Sequence, residues 1–170
     1  MGDIEELSIV AATEDDLDAV ASLAGVVWRQ HYPGIITHEQ IEYMLANGYS
    51  RPVLSTFISD EGSGLELARV GDRLIGFAAY RRNDAPDELK LEKLYIHQDY
   101  QWHGVGSRLI GKIEREGRAQ GCSTLVLNVN KNNVRAIRAY EKNGFVVREA
   151  VVVDIGGGFV MDDYIMAKSL

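Results

Sequence analysis

Apolar residues along the chain follow two periods. The run 7–12 is strand-like and stops at Thr13, which with Asp16 three residues later has the form of a capping box; Leu17, Val20, Leu23, Ala24 and Val27 then recur at helical spacing. The chain therefore opens strand then helix. Pro33-Gly34 interrupts the period, and Thr37 with Gln40 makes a second capping box ahead of Ile41, Met44 and Leu45, which predicts a short second helix. A third brief helix is predicted after Ser50, with Pro52 in its first turn, where the missing N–H does no harm. The runs 65–70 and 73–81 flank Gly71-Asp72 and read as a tight β-hairpin, and 89–97 as a further strand. From 105 to 120, Val105, Leu109, Ile110 and Ile113 share one helical face, and Gly121 ends the helix. A strand over 123–129, a helix over 133–143 stopped by Gly144, and a closing pair, 146–154 and 159–166, around Gly156-Gly157-Gly158 complete the order βααα-ββ-βα-βα-ββ. That order predicts an α/β fold of mixed, α+β-like character: one domain over 1–170, a central mixed sheet of about seven strands, and helices on both faces.

Composition narrows the class. The 170 residues are 46% hydrophobic, enough for one well-buried core, and contain no repeat or Pro/Ser-rich linker. Cys122 is the only cysteine, which excludes an internal disulfide and fits a reducing, cytoplasmic setting; placed just before a strand, it reads as a small buried residue. The longest apolar runs, such as 74–80, are too short to span a bilayer, so no membrane association is expected. A net charge of −7 opposes binding to a nucleic-acid backbone. It suits a cationic small-molecule partner, although a solvated acidic surface produces the same number.

The densest chemical signal is the stretch from Leu94 to Gly106, a strand that delivers glycines to a helix start. The first N–H groups of a helix lack intrahelical partners and carry partial positive charge, and glycines there let a pyrophosphate reach the main chain. Ordinary turn chemistry also places glycine before helices. Two competing phosphate motifs fail: the dinucleotide fingerprint needs glycine where Leu109 stands, and the P-loop needs Ser or Thr after Gly111-Lys112, where Ile113 stands.

Gln101, Gly104 and Gly106 match the cofactor motif Gln/Arg-x-x-Gly-x-Gly/Ala, and Asn133, Ala136, Tyr140, Gly144 and Phe145 match Asn-x-x-Ala-x-x-x-Tyr-x-x-x-Gly-Phe. In this the chain resembles the GNAT acetyltransferase superfamily. The resemblance implies acetyl-CoA as cosubstrate. It implies that Gln101, Trp102, His103, Gly104, Val105, Gly106 and Ser107 hold the pyrophosphate, and that the backbone of Leu94, Tyr95 and Ile96 pairs with the pantetheine arm. Asn133 and Ala136 would lie along the same arm, and Lys142 or Arg138 would meet phosphate unless both merely solvate their helix. The Ile96 N–H would bond the acetyl carbonyl, and Tyr140 would protonate the leaving thiolate; core packing is the competing role for Tyr140. The stretch from His31 to Leu45 is similar to bacterial diamine and polyamine N-acetyltransferases.

An alkyl amine with a pKa of about 10.4 is almost wholly protonated at neutral pH, so attack through a tetrahedral intermediate needs a base. Glu92 is the candidate, for both catalysis and substrate binding: it interrupts an apolar strand, and alternation puts it on the face of Leu94 and Ile96. A cross-strand salt bridge is its other reading. Tyr32 and Tyr43, with His31 and Met44, would line the acceptor side, or pack a core or dimer interface. Asp162-Asp163 would orient a cationic substrate or cap the last hairpin. His97 and His103 lack partners at metal-ligand spacing, so no metal is expected. The expected activity is acetyl transfer from acetyl-CoA to a small cationic primary amine. The alternatives are a protein N-terminus or lysine as acceptor, and a non-catalytic acyl-CoA-binding regulator; a homodimer is a family-level expectation.

Overall fold

The computed structural model of the chain describes residues 6–101 and 103–170. Its elements run β1 (Leu7–Ala11), α1 (Leu17–His31), α2 (His38–Gly48), α3 (Arg51–Ser59), β2 (Gly64–Val70), β3 (Arg73–Arg82), β4 (Glu88–Ile96), α4 (Val105–Ala119), β5 (Thr124–Asn130), α5 (Val134–Lys142), β6 (Val146–Gly156) and β7 (Phe159–Ser169). The predicted order is the observed one. A 7-stranded mixed sheet arranged β1-β2-β3-β4-β5-β7-β6 joins all the strands. Each neighbouring pair is antiparallel except β4 and β5, which α4 links by a parallel crossover.

Two cores follow from the two faces. Val105, Leu109, Ile110 and Ile113, the predicted stripe of α4, bury against Leu89, Leu91, Leu125, Leu127 and Met166 on one side of the sheet. On the other, Leu17, Val20 and Trp28 of α1 and Leu54 and Phe57 of α3 pack on Leu65, Leu67, Phe77 and Ala79. Each fully buried Leu, Ile or Phe contributes about 1.5–3 kcal/mol. Among the described residues no helix is long and apolar enough to cross a membrane.

The first capping box forms, with Thr13 N–H donating to Asp16 Oδ2 at 2.8 Å, and starts a single 3-10 turn from which α1 continues. The second forms only in half. Thr37 Oγ1 accepts from Gln40 N at 3.2 Å, but the Gln40 amide donates to the Val160 carbonyl on β7 at 3.0 Å. Gln40 is buried, so its amide must be satisfied inside, and a solvated helix start has no comparable need of it.

The feature that positions a site lies mid-sheet. The β4–β5 ladder covers only Glu88–Leu91 opposite Thr124–Leu127. Beyond it β4 runs on to Ile96 paired with β3, and β5 runs on to Asn130 paired with β7. The two strands part at Glu92, where β4 is irregular: Tyr80 pairs with Leu91 and Ala79 with Lys93, leaving Glu92 as an extra residue.

Candidate active site

Where β4 and β5 part, a cleft of about 1120 Å³ opens through the sheet. Strand parity assigns its walls to two mouths. Leu127 and Val129 of β5 and Leu94 and Ile96 of β4 face the α4 core, whereas Asn128 and Asn130 of β5, and Tyr95 of β4, face the α1 side.

The α4 mouth is a main-chain surface. His97 N–H donates to Ile75 O of β3 at 2.8 Å; because a ladder alternates, the Ile96 N–H one residue earlier faces the open edge toward β5. Gln101 Nε2 donates to the Ile96 carbonyl at 3.2 Å and ties the following turn to the end of the strand. Gly104 is the N-cap of α4 at φ +73°, a left-handed conformation that a side chain disfavours. A Cβ on Gly106 would stand 3.3 Å from Ile96 Cδ1, so glycine keeps the turn close to the strand. The unpaired N–H groups of α4 thus begin beside an unpaired strand edge, a surface suited to a phosphorylated group with an extended arm.

Tyr140 of α5 borders the same cleft, its ring edge-on to Phe145 at 5.7 Å. Burial, and secondarily the nearby Tyr32, pushes its phenol well above the ordinary range, so it stays protonated at neutral pH. Asn133 caps α5, accepting from Ala136 N at 3.4 Å, and its Oδ1 also accepts from His31 Nε2 at 3.0 Å. That bond joins the end of α1 to the start of α5 across the cleft. Ala136, Arg138 and Lys142 continue the α5 wall.

The α1 mouth is aromatic and charged. Tyr32 and Tyr95 share a hydrogen bond at 3.1 Å between hydroxyls, and Trp28 Nε1 donates to the Tyr49 hydroxyl at 3.1 Å. Burial raises the Tyr32 phenol to about 12, with the Tyr95 hydrogen bond opposing and the Asp163 charge adding. Lys93 Nζ sits 4.1 Å from the centre of the Tyr49 ring, and burial lowers its ammonium to about 8, against the pull of Glu92. Asp163 of β7 completes this wall, buried at 4% exposure.

The family model described as Acetyltransferase (GNAT) family matches residues 22–145, which contain the turn, the parted strands and α5. The chain belongs to the GNAT acetyltransferase family. It is accordingly an N-acetyltransferase in fold and kinship. It is 27% identical to a spermidine N(1)-acetyltransferase of Thermoplasma acidophilum, over 94% of this chain and 95% of that one. It shares 27% identity with an uncharacterised N-acetyltransferase of Mycobacterium tuberculosis, over 91% of this chain and 98% of that one. Among solved structures, the PaiA N-acetyltransferase of Thermoplasma acidophilum in complex with coenzyme A superposes with a TM-score of 0.82 at 26% identity, covering 96% of this chain and 99% of that one.

In this GNAT chain the cleft brings together most of the residues singled out in the sequence. Leu94, Tyr95, Ile96, Gln101, Gly104, Gly106 and Ser107 line it on the strand and turn side. Asn133, Ala136, Tyr140 and Lys142 line it from α5, and Tyr32 and Glu92 from the α1 side. Three others do not line the cleft with their side chains. Val105 is wholly buried beneath the turn and His103 neighbours the Tyr100 ring at 6.1 Å, both still within the backbone of the turn, and the Tyr43 hydroxyl donates to Ile155 O at 2.8 Å. Tyr43 thereby holds down the glycine turn between β6 and β7, which is the packing alternative to lining the acceptor side. Trp102 lies outside the described residues.

For Glu92 the alternation argument fails, because the extra residue at the bulge reverses the parity. Leu89 and Leu91 before it and Leu94 and Ile96 after it all face the α4 core. Glu92 instead turns with Lys90 and Arg81, 3.7 and 3.8 Å from its Oε1, to the α1 side. The sequence reading missed Lys93, whose ammonium is hidden between aromatic rings, and gave Asp163 no preference over Asp162. Strand parity relative to Met166 is the signal that separates those two aspartates.

Proposed function

We propose that the chain transfers the acetyl group of acetyl-CoA to a primary amine on a small cationic acceptor. The observation that carries this reading is the parted β4–β5 edge, with a main-chain phosphate-type cradle on one face of the sheet and carboxylates with aromatic rings on the other. The left-handed Gly104 and the close approach of Gly106 to Ile96 fit a coenzyme A pyrophosphate at the start of α4. In this reading the edge from Leu94 to Ile96 binds the pantetheine arm and Gln101 to Ser107 bind the phosphates, with Asn133, Ala136 and Lys142 along α5. The bound cosubstrate supplies an activated acyl carbonyl.

The residues then divide the proton work. The Ile96 N–H, facing the open edge, donates to the acyl oxygen and favours the negative charge that develops there. Glu92, turned to the α1 side, takes the proton from the ammonium directly or through water, because only the neutral amine is nucleophilic. The protonated phenol of Tyr140 donates to the departing thiolate, whose intrinsic pKa is about 8.5. Tyr32, held against Tyr95, shapes the acceptor mouth. The kinship with a spermidine N(1)-acetyltransferase and the net charge of −7 support a cationic acceptor.

Incubation with acetyl-CoA and a panel of aliphatic mono-, di- and triamines, following release of free thiol, tests the proposal. Release that depends on the amine and is fastest with diamines or triamines is expected. Binding of coenzyme A with no release for any amine would replace it with a non-catalytic acyl-CoA-binding function.

A further inference from the structure

Asp162 and Asp163 are adjacent in sequence and opposite in circumstance. Asp162 turns to solvent, its side chain 57% exposed, and pairs with Lys131 Nζ at 2.6 Å. Asp163 points to the other side of β7, is 4% exposed and forms part of the cleft wall; its Oδ1 has no hydrogen-bond partner among the described residues. A buried carboxylate oxygen is strongly disfavoured unless a donor or cation completes it. The cations that lower its carboxyl pKa are both engaged elsewhere: Lys131 with Asp162, and Lys90 with Glu92 at 3.7 Å. The Asn128 amide also lowers that pKa, and Asn130 is the partner of Asp163 in the β5–β7 register. Amides satisfy polarity without supplying charge.

Its position says what is missing. Asp163 lies on the α1 face of the sheet, two residues along β7 from Met161, which also lines the cleft, and near enough to Tyr32 to raise that phenol. This mouth is opposite the one where α4 begins. Among the described residues no cluster of three His, Cys, Asp or Glu side chains is placed to hold a metal ion, so a lone carboxylate among amides and a phenol suits an N–H cation instead.

We infer that Asp163 is the ammonium-binding carboxylate of the acceptor site, receiving a protonated nitrogen of an aliphatic amine on its free Oδ1. The inference rests on the proposed transfer to a cationic amine and sharpens it. Glu92 handles the reacting nitrogen's proton, while Asp163 fixes the acceptor by a nitrogen that stays charged, which requires at least two amino groups in the molecule. Tyr32 and Met161 flank the intervening hydrocarbon.

Calorimetric titration of 1,4-diaminobutane into the protein, with and without saturating coenzyme A, tests this directly. Wild-type protein should bind the diamine saturably. Asp163→Asn keeps the shape and removes the charge, and should weaken binding by about 10- to 100-fold, the range for a lost charge-assisted hydrogen bond. Asp162→Asn, at the solvent-facing neighbour, should stay within about 2-fold of wild type, as expected for an exposed pair. Equal affinity in Asp163→Asn, or no diamine binding by the wild type, would overturn the inference. Retained coenzyme A binding shows that the variant is folded. Should Asp163-dependent binding occur without any thiol release, the acetyl-transfer reading fails and the ammonium site stands. Should transfer occur with the same KM in Asp163→Asn, the ammonium site fails and the transfer reading stands.

Discussion

At the scale of single residues, the chain keeps side chains in states that its stability alone would not select. Asp163 is the clearest case. Burial raises its carboxyl pKa above the ordinary 3.8 in the folded chain, with Asp162 adding and Asn128, Lys90 and Lys131 opposing. The folded state therefore holds the proton more tightly than the unfolded one, and stability falls as pH rises above 3.8 into the folded-state titration. Asp163→Asn should raise the melting temperature at pH 7 by about 1–4 °C, with the gain shrinking as pH approaches the ordinary aspartate value. A lower melting temperature would mean that the carboxylate has a structural partner. Tyr140 gives the complementary prediction. Tyr140→Phe keeps the ring against Phe145 and should cut kcat by about 100-fold or more, the usual size of a lost acid, while coenzyme A affinity stays within about 2-fold. An unchanged kcat would leave Tyr140 as core packing, the role its helical spacing with Ile137 already suggests.

At the scale of elements, most of the fold was legible because each element carries its own local signal. The α4 stripe of Val105, Leu109, Ile110 and Ile113 buries as its spacing predicts, and the Thr13 capping box forms and starts the 3-10 turn that leads into α1. What could not be read from the sequence depended on partners distant along the chain. Gln40 abandons its box for a β7 carbonyl 120 residues away, and Glu92 changes face because β4 carries a bulge against β3. Neither leaves a mark in a short window of sequence. The glycine turn, by contrast, combines a local signal with a structural demand. Gly104→Ala should destabilise the chain by roughly 1 kcal/mol through the left-handed backbone, lowering the melting temperature by about 2–4 °C. Gly106→Val should weaken coenzyme A binding by more than 10-fold at the cradle, since its Cβ already meets Ile96 and the added methyls fill the approach to α4. Calorimetry and thermal unfolding of the two variants separate backbone strain from an obstructed site.

At the scale of the whole molecule, the central sheet works as a wall that opens between β4 and β5, and the two helical layers give that opening two chemically different ends. The end at α4 was visible in the sequence because glycines and a helix start announce it. The end at α1 was legible only in part: Tyr32 and Glu92 stood out singly, but its side chains come from α1, β4, β5 and β7 and meet only once the sheet has formed. The net charge of −7 adds a long-range term that draws cations toward the molecule and repels a polyanion. KM for a diamine should therefore rise as salt increases from about 0.05 to 0.3 M while KM for acetyl-CoA falls or holds, reflecting screening over a shorter Debye length. A salt-independent diamine KM would confine acceptor recognition to the cleft itself. The central claim, that the parted strands join an acyl donor on one face to an amine on the other, is tested most directly by product analysis. With acetyl-CoA and 1,4-diaminobutane, mass spectrometry should find N-acetylated diamine in equal amount to the thiol released; thiol accompanied by free acetate, or neither product, would contradict it.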